Sequence, residues 1–472
     1  MYALYLSATV CVFSVVRAYG EKVTMGDDGG RRGWLGFAVL LLGTVVVAGR
    51  LLSVARWFFG WRSRRVVEEV GRRGVALPAF KLARRRDLVY RLTHDPGLLA
   101  AAGVYARENG VPGEVAKARV ECYAREIVPS FDAFLYFKVG IPLAARVVRS
   151  LYDVRVGPER GLAAMDENGA SVVFVMNHRS NIDYVLLACL TADRAALTYA
   201  AGEWANVWPL GPLIGGMGAF FVRRGTGDGL YRRVLERYVQ MAVEGGLTQA
   251  IFPEGGLSRD GRLREPKLGL LDYTLRHFDP RTRDILFVPV GVNYDWVLED
   301  HSLLQPGGPE AGIKGYGGFF ASTAESVARN LIRARRGGSF RLGIAAVGVG
   351  EPVSAREYAA SRGISFTELG REDRIEAVGD LAQLLMRNIH ASIQPAAVPL
   401  VARALLQAPE RPVARDALIP HARSLARGAS LDYEAALQTL VLRGLVSVAR
   451  EGYGPAPNSE EILTYYASSA NG

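Results

Sequence analysis

Cysteine and histidine are scarce in this chain of 472 residues: there are three cysteines, Cys11, Cys122 and Cys189, and six histidines. The cysteines are far apart and odd in number. They form neither a disulfide framework nor a C-x-x-C metal spacing, so a reducing compartment is expected and a structural zinc site is not. Also missing are the G-x-S-x-G elbow of a serine hydrolase, the phosphate loop of a nucleotide triphosphatase and the glycine fingerprint of a dinucleotide-binding fold. No internal repeat or low-complexity tract occurs. Acidic residues are in deficit, 47 against 57 Lys and Arg, for a net charge of +10. The excess is almost all at one end: residues 1–110 hold 17 basic and 8 acidic residues, whereas the rest is nearly balanced. A nucleic-acid reader concentrates such an excess on a folded surface. Here it abuts apolar sequence, which suits an anionic bilayer surface better.

With 49% hydrophobic and 22% charged residues the composition is that of a folded protein, long enough for more than one unit. The apolar runs Tyr2–Val16 and Trp34–Gly49 are each shorter than the ~20 residues that span a bilayer. No positive region precedes the first run, which argues against a signal peptide. Arg62, Arg64, Arg65, Arg72 and Arg73 follow the second, the excess expected on a cytoplasmic side.

Apolar residues at three- and four-residue spacing predict helices over Glu121–Val128 and Phe131–Leu151. Between about 170 and 350 the pattern alternates. Strand-like runs at Ser171–Met176, Leu197–Ala201, Ala219–Val222, Gln249–Phe252, Ile285–Val292 and Arg341–Val349 are interleaved with helical stretches such as Gly229–Glu244. Helices return at Arg371–Ile389, Val398–Leu406 and Tyr433–Leu442, before a Val/Tyr/Gly stretch. The expected fold class is α/β: a layered mixed-sheet domain flanked by helical N-terminal and C-terminal regions, with membrane-associated apolar segments at the N-terminus. The boundaries are 1–65 for the apolar segments and basic flank, 66–155 for a helical lead-in, 156–365 for the α/β domain and 366–472 for the helical C-terminal region.

The strongest local signal is Ser171–Tyr184. An apolar strand delivers His178 at its exit, and Asp183 falls where the next helix begins, so a tight turn returns the carboxylate to the imidazole. Such a pair takes a proton from an alcohol without a nucleophilic side chain. Two further strand ends carry Arg223-Arg224 and Glu254-Gly255-Gly256-Leu257-Ser258-Arg259. Guanidinium forks and glycine-exposed backbone N–H groups at strand ends suit a phosphate. The implied acceptor is an alcohol carrying a phosphate.

Four blocks, His178-Arg-Ser-x-x-Asp183, Gly218-x-x-Phe-x-Arg-Arg224, Glu254-Gly-Gly-x-Ser-Arg-x-Gly-Arg-Leu-x-x-Pro-Lys267 and Val288-Pro-x-x-x-x-Tyr-Asp295, resemble those of the glycerol-phosphate acyltransferases. The third is similar to the branch of bacterial and mitochondrial glycerol-3-phosphate and dihydroxyacetone-phosphate acyltransferases. Resemblance extends upstream to Glu121–Asp153 and downstream to Ile389–Pro395 and Ile462–Tyr466. It implies acyl transfer from acyl-CoA or acyl carrier protein to the sn-1 hydroxyl of glycerol 3-phosphate, giving lysophosphatidate, the first step of phospholipid synthesis. Dihydroxyacetone phosphate and lysophosphatidate are alternative acceptors, and a catalytically inactive membrane-anchored binding protein is the alternative from another class.

Carried over by position, His178 is the general base and Asp183 its orienter. Arg179, Ser180, Arg223, Arg224, Ser258, Arg259 and Lys267 belong to substrate binding, and Glu254, Gly255 and Gly256 shape the acceptor site. Backbone donors near Ser180 and Asn181 are candidates for the oxyanion. Leu257 and Asp260 stand where relatives more often carry Arg or Thr. The thioester drives the reaction, so no metal or other cofactor is implied. The implied partners are glycerol 3-phosphate, an acyl thioester donor and an anionic membrane surface, without nucleic acid. The implied location is the cell membrane, with the catalytic domain on its cytoplasmic side.

Overall fold

The computed structural model describes residues 60–75, 77–157, 160–163, 169–202, 210–223, 225–304, 341–426 and 430–470. The apolar runs Tyr2–Val16 and Trp34–Gly49, and Arg224, lie outside them. Among the described residues no single helix is long and apolar enough to cross a membrane.

The centre is an eight-stranded sheet. Its strands are β1 (Asp153–Val156), β2 (Ser171–Met176), β3 (Thr198–Gly202), β4 (Phe220–Val222), β5 (Gln249–Ile251), β6 (Ile285–Tyr294), β7 (Ile344–Val349) and β8 (Val353–Ser354), in the order β1-β7-β6-β2-β5-β3-β4, with β8 also paired to β6. The run β6-β2-β5-β3-β4 is parallel throughout, and β7 and β8 are antiparallel to β6. A parallel strand covered on both faces reads as an unbroken apolar run, as Ser171–Met176 does. Side chains alternate across it: Val172, Phe174 and Met176 enter one core cluster, and Val173 and Val175 another.

The helices used below are α1 (Pro96–Asn109), α2 (Gly113–Ile127), α3 (Ile141–Leu151), α4 (Asp183–Thr191), α5 (Gly229–Glu244), α6 (Gly269–Leu275), α7 (Arg371–Ser392), α8 (Ala397–Gln407), α9 (Arg415–Ser424), α10 (Tyr433–Leu442) and α11 (Glu460–Ser469). Asp228 caps α5 by accepting from Leu230 N and Tyr231 N, so the chain leaving β4 turns at once into a helix lying over the sheet. Helices α1, α2 and α5 share one apolar cluster. Through Leu381, Leu385 and Ile389, α7 covers the face carrying Val173 and Phe287. Leu186 and Leu187 of α4, with α8, α10 and α11, cover the other face.

The expected strands all form, within three residues at each end, and α5 and α10 have the expected bounds. Three features were not anticipated. The charged, half-exposed β1 pairs with β7 as an edge strand. Within Phe131–Leu151, residues Leu135–Gly140 form a π-helical turn. The Val/Tyr/Gly stretch is an antiparallel hairpin, β9 (Val446–Ala449) with β10 (Gly452–Pro455), followed by α11.

Candidate active site at the carboxyl edge of the sheet

Strands β2, β3, β4 and β5 run in one direction, so their carboxyl ends open on the same edge, where ligands of parallel sheets bind. A cavity of about 320 Å³ lies there. His178 and Phe252 follow β2 and β5 into it, Ala200–Gly202 end β3, and Arg223 leaves β4. Its cationic residues, among those described, are Arg223, Arg232 and Lys267. Its apolar wall includes Val222, Leu235, Ile251 and Leu270.

His178 Nδ1 lies 2.9 Å from Asp183 Oδ2. That oxygen also accepts from Arg179 N at 2.8 Å and Ser180 N at 2.9 Å, and Tyr294 OH donates to Oδ1 at 2.6 Å. Asp183 is fully buried at the first turn of α4, where a carboxylate is favoured by the helix dipole. A carboxylate can only accept, so the pairing assigns the ring proton to Nδ1 and leaves Nε2 as the basic nitrogen. The ring stacks on Phe252 with centroids 3.8 Å apart, and Tyr184 packs edge-on at 5.8 Å. The backbone beneath is fixed as well: His178 N donates to Glu254 Oε1 at 3.0 Å, and His178 O accepts from Ser258 N at 2.8 Å. Asn177 extends the strand by exchanging side-chain bonds with Val292 N and O at 2.7 and 2.9 Å.

Arg223 is an oriented fork. Nε and Nη2 donate to Glu126 of α2 at 2.7 and 2.5 Å, and the guanidinium sits 5.3 Å from the Tyr123 ring and 5.2 Å from Tyr231. Gly255 has φ +69°, and a Cβ there would collide with the Lys267 side chain, so glycine lets that lysine lie against the turn. Glu254 does not face the cavity. Its Oε2 accepts from Arg264 N at 3.1 Å, making it a buried strut between the His178 loop and the following turn. Burial pushes its carboxyl up to about 7, against the opposing effect of the two backbone donors.

His178, Arg223, Gly255, Gly256 and Lys267 therefore meet at one cavity, with Asp183 behind the ring. The single phosphate cluster expected from Arg223, Arg224, Ser258 and Arg259 does not assemble among the described residues. Ser258 is buried outside the cavity, its Oγ donating to Arg262 O at 2.8 Å, and Arg259 is exposed on that turn. Arg179 is 2% exposed, outside the cavity lining, with Nη1 3.4 Å from Ser258 Oγ. Ser180 and Asn181 do not offer free backbone donors for an oxyanion: Ser180 N is bonded to Asp183, and Asn181 N donates to Glu299 Oε1 at 3.2 Å. Asp260 is part of the turn, accepting from Arg262 N at 3.0 Å.

Four contributors were given no role by the sequence reading, although Tyr294 stands in its fourth block. Arg232 sits within a helix rather than at a strand end. Glu126, Tyr294 and Glu299 act across long separations that no local spacing reveals. Among the described residues no group of three or more His, Cys, Asp or Glu side chains gathers as a metal site.

Residues 158–293 match the Acyltransferase family, and residues 323–447 match the Glycerol-3-phosphate acyltransferase C-terminal region. A glycerol-3-phosphate acyltransferase of Aeromonas hydrophila is 30% identical over 385 residues, covering 79% of this chain and 44% of that protein. One from Ectopseudomonas mendocina is 33% identical over 339 residues, covering 69% and 39%. The chain belongs to the glycerol-3-phosphate acyltransferase family. It spans less than half the length of these curated relatives. Among solved structures, the 1-acyl-sn-glycerophosphate acyltransferase PlsC of Thermotoga maritima is similar over 54% of this chain and 80% of its own, at 19% identity and a TM-score of 0.31. As a glycerol-3-phosphate acyltransferase family member, the chain places its His178-x-x-x-x-Asp183 block at the carboxyl edge of the sheet.

Proposed function

We propose that this protein transfers a fatty acyl group from acyl-CoA or acyl carrier protein to the sn-1 hydroxyl of glycerol 3-phosphate. The observation that carries this reading is the meeting of an Asp-oriented imidazole, a carboxylate-braced guanidinium and an apolar wall in one cavity. His178 Nε2 takes the hydroxyl proton as the oxygen attacks the thioester carbon. Asp183 stabilises the imidazolium formed. When the C–S bond breaks, the same nitrogen returns the proton to the departing thiolate. Arg223, with Lys267 and Arg232 on the same cavity, binds the phosphate and holds the hydroxyl near the base. The thioester supplies the driving force, and no step calls for a metal or redox cofactor.

In this reading residues 156–365 are the catalytic unit, 66–155 and 366–472 brace it, and 1–65 hold it to the anionic cytoplasmic face of the cell membrane. The charge excess of residues 1–110 beside their apolar runs supports that location. Membranes carrying the full chain, supplied with both donor types and a panel of phosphorylated alcohols, test the proposal. The expected product is 1-acylglycerol 3-phosphate. Selective acylation of dihydroxyacetone phosphate or lysophosphatidate would overturn the acceptor assignment, and no transfer to any alcohol would overturn the reaction.

A further inference from the structure

Behind the His178–Asp183 pair lies a second buried carboxylate for which the proposed chemistry has no use. Glu299, 2% exposed, accepts from Ser180 Oγ at 2.7 Å through Oε2, and from Asn181 N at 3.2 Å and Asn181 Nδ2 at 3.3 Å through Oε1. Ser180 Oγ in turn accepts from Ile182 N at 3.3 Å. The turn between His178 and Asp183 is thus gripped from both sides. Asp183 holds the N–H groups of Arg179 and Ser180, and Glu299 holds the Ser180 hydroxyl and both donors of Asn181.

The neighbouring residue ties this grip to the C-terminal helices. Asp300, 1% exposed, is ion-paired with Arg443 just past α10 and accepts from Tyr466 OH of α11 at 2.5 Å. Tyr466 OH itself accepts from Val297 N at 3.0 Å and Arg443 Nη1 at 3.1 Å, and the Arg443 guanidinium lies 4.2 Å from the Trp296 ring. The segment Trp296–Asp300 therefore has its position set by α10 and α11 while its carboxylate reaches the turn beside the base.

A carboxylate buried near Asp183 is electrostatically costly. Burial and that neighbour both raise its proton affinity, and its carboxyl is pushed up to about 7, with burial the larger cause. An apolar side chain would fill the same space without that cost, but it would leave the Ser180 and Asn181 donors unmatched. A carboxylate, with an acceptor oxygen on each side, answers Ser180 on one side and Asn181 on the other.

We propose that Glu299 is a positioning residue for the His178–Asp183 pair, and that Asp300, Arg443 and Tyr466 make the C-terminal helices part of that support. This rests on the acyl-transfer reading of the site. It assigns the C-terminal region a role in turnover through a defined chain of contacts. Glu299 touches no substrate; its effect passes through Ser180, whose N–H helps orient Asp183.

The test uses the full chain in membranes, with initial rates against glycerol 3-phosphate and acyl donor and with thermal unfolding followed in parallel. Glu299→Ala is expected to lower kcat by about 10- to 100-fold while leaving both KM values within about twofold, the signature of a displaced base. Glu299→Gln, which keeps one acceptor, should recover most of that loss. In a double-mutant cycle, Ser180→Ala with Glu299→Gln should be no slower than the slower single variant, because both alter the same Ser180–Glu299 contact.

Should Glu299→Ala fail to fold, the Ser180→Ala and Glu299→Gln arms decide. Wild-type kcat in both, or full additivity in their combination, overturns the proposal. A parallel rise in KM for glycerol 3-phosphate with kcat unchanged also overturns it, since that places Glu299 in binding. Wild-type protein inactive towards every acceptor would instead overturn the acyl-transfer reading, which keeps the two failures distinct.

Discussion

Tyr294 and Asp183 stand 111 positions apart in the chain, yet the phenol of one donates to Oδ1 of the other at 2.6 Å. Tyr294 ends β6 and Asp183 begins α4, so this bond fastens the helix carrying the acid to the strand beside β2. Burial, with the charge of Asp183 next, pushes the phenol well above its ordinary range, so it remains a donor. Tyr294→Phe leaves Oδ1 without that donor in a fully buried site. The expected cost is about 1–3 kcal/mol of stability by urea unfolding, together with a fall in kcat and little change in KM.

His178→Ala should reduce acyl transfer by about a hundred- to ten-thousand-fold, with near-native unfolding behaviour, because the ring is a terminal group stacked on Phe252. Asp183→Asn should also remove most of the rate. An amide placed there can donate to Nδ1, which favours the tautomer with its proton on Nε2. A steady-state assay on both variants checks the pair, and retained turnover in His178→Ala would remove the base assignment.

Arg223 and Ser258 separate the two views of phosphate binding. Arg223→Ala should raise KM for glycerol 3-phosphate by about 10- to 100-fold, as loss of a charge-assisted contact does, with donor KM unaffected. Glu126→Gln should produce a smaller change in the same direction, since it loosens the fork without removing it. Ser258→Ala should leave acceptor KM within about twofold and cost about 1 kcal/mol in stability, because its hydroxyl serves its own turn.

Glu254 makes a pH prediction. Its carboxyl is pushed up to about 7 from an ordinary 4.5. Folding therefore favours the protonated form. The stability this contributes is fully present below about 4.5 and is lost as pH rises through about 7. Glu254→Gln abolishes the titration. Wild-type stability relative to that variant should fall between about pH 4.5 and about pH 7 and level off above, measured by urea unfolding, and a constant difference would contradict the assignment.

Much of the fold was legible because the buried parallel strands are unbroken apolar runs, and because Gly229–Glu244 and Tyr433–Leu442 carry helical spacing behind capping aspartates. The His178–Asp183 pairing was readable because a turn and a helix start fix it locally. The phosphate cluster was less so: a glycine-rich polar loop looks the same whether its hydroxyl faces a ligand or, as for Ser258, closes its own turn. Partners such as Glu126 and Glu299, 97 and 119 positions from the side chains they hold, leave no mark on local sequence. The β1 edge escaped notice because Asp153 and Arg155 alternate towards solvent where a helix had just ended.

With Nδ1 tied to Asp183, the other edge of the same ring serves both the incoming alcohol and the outgoing sulfur in the proposed reaction. The proposed route therefore uses no side chain to carry the acyl group between two separate visits. Under the proposed reaction both substrates must occupy the pocket together, so double-reciprocal plots at several donor concentrations should intersect rather than run parallel, and thiol release should require the acceptor.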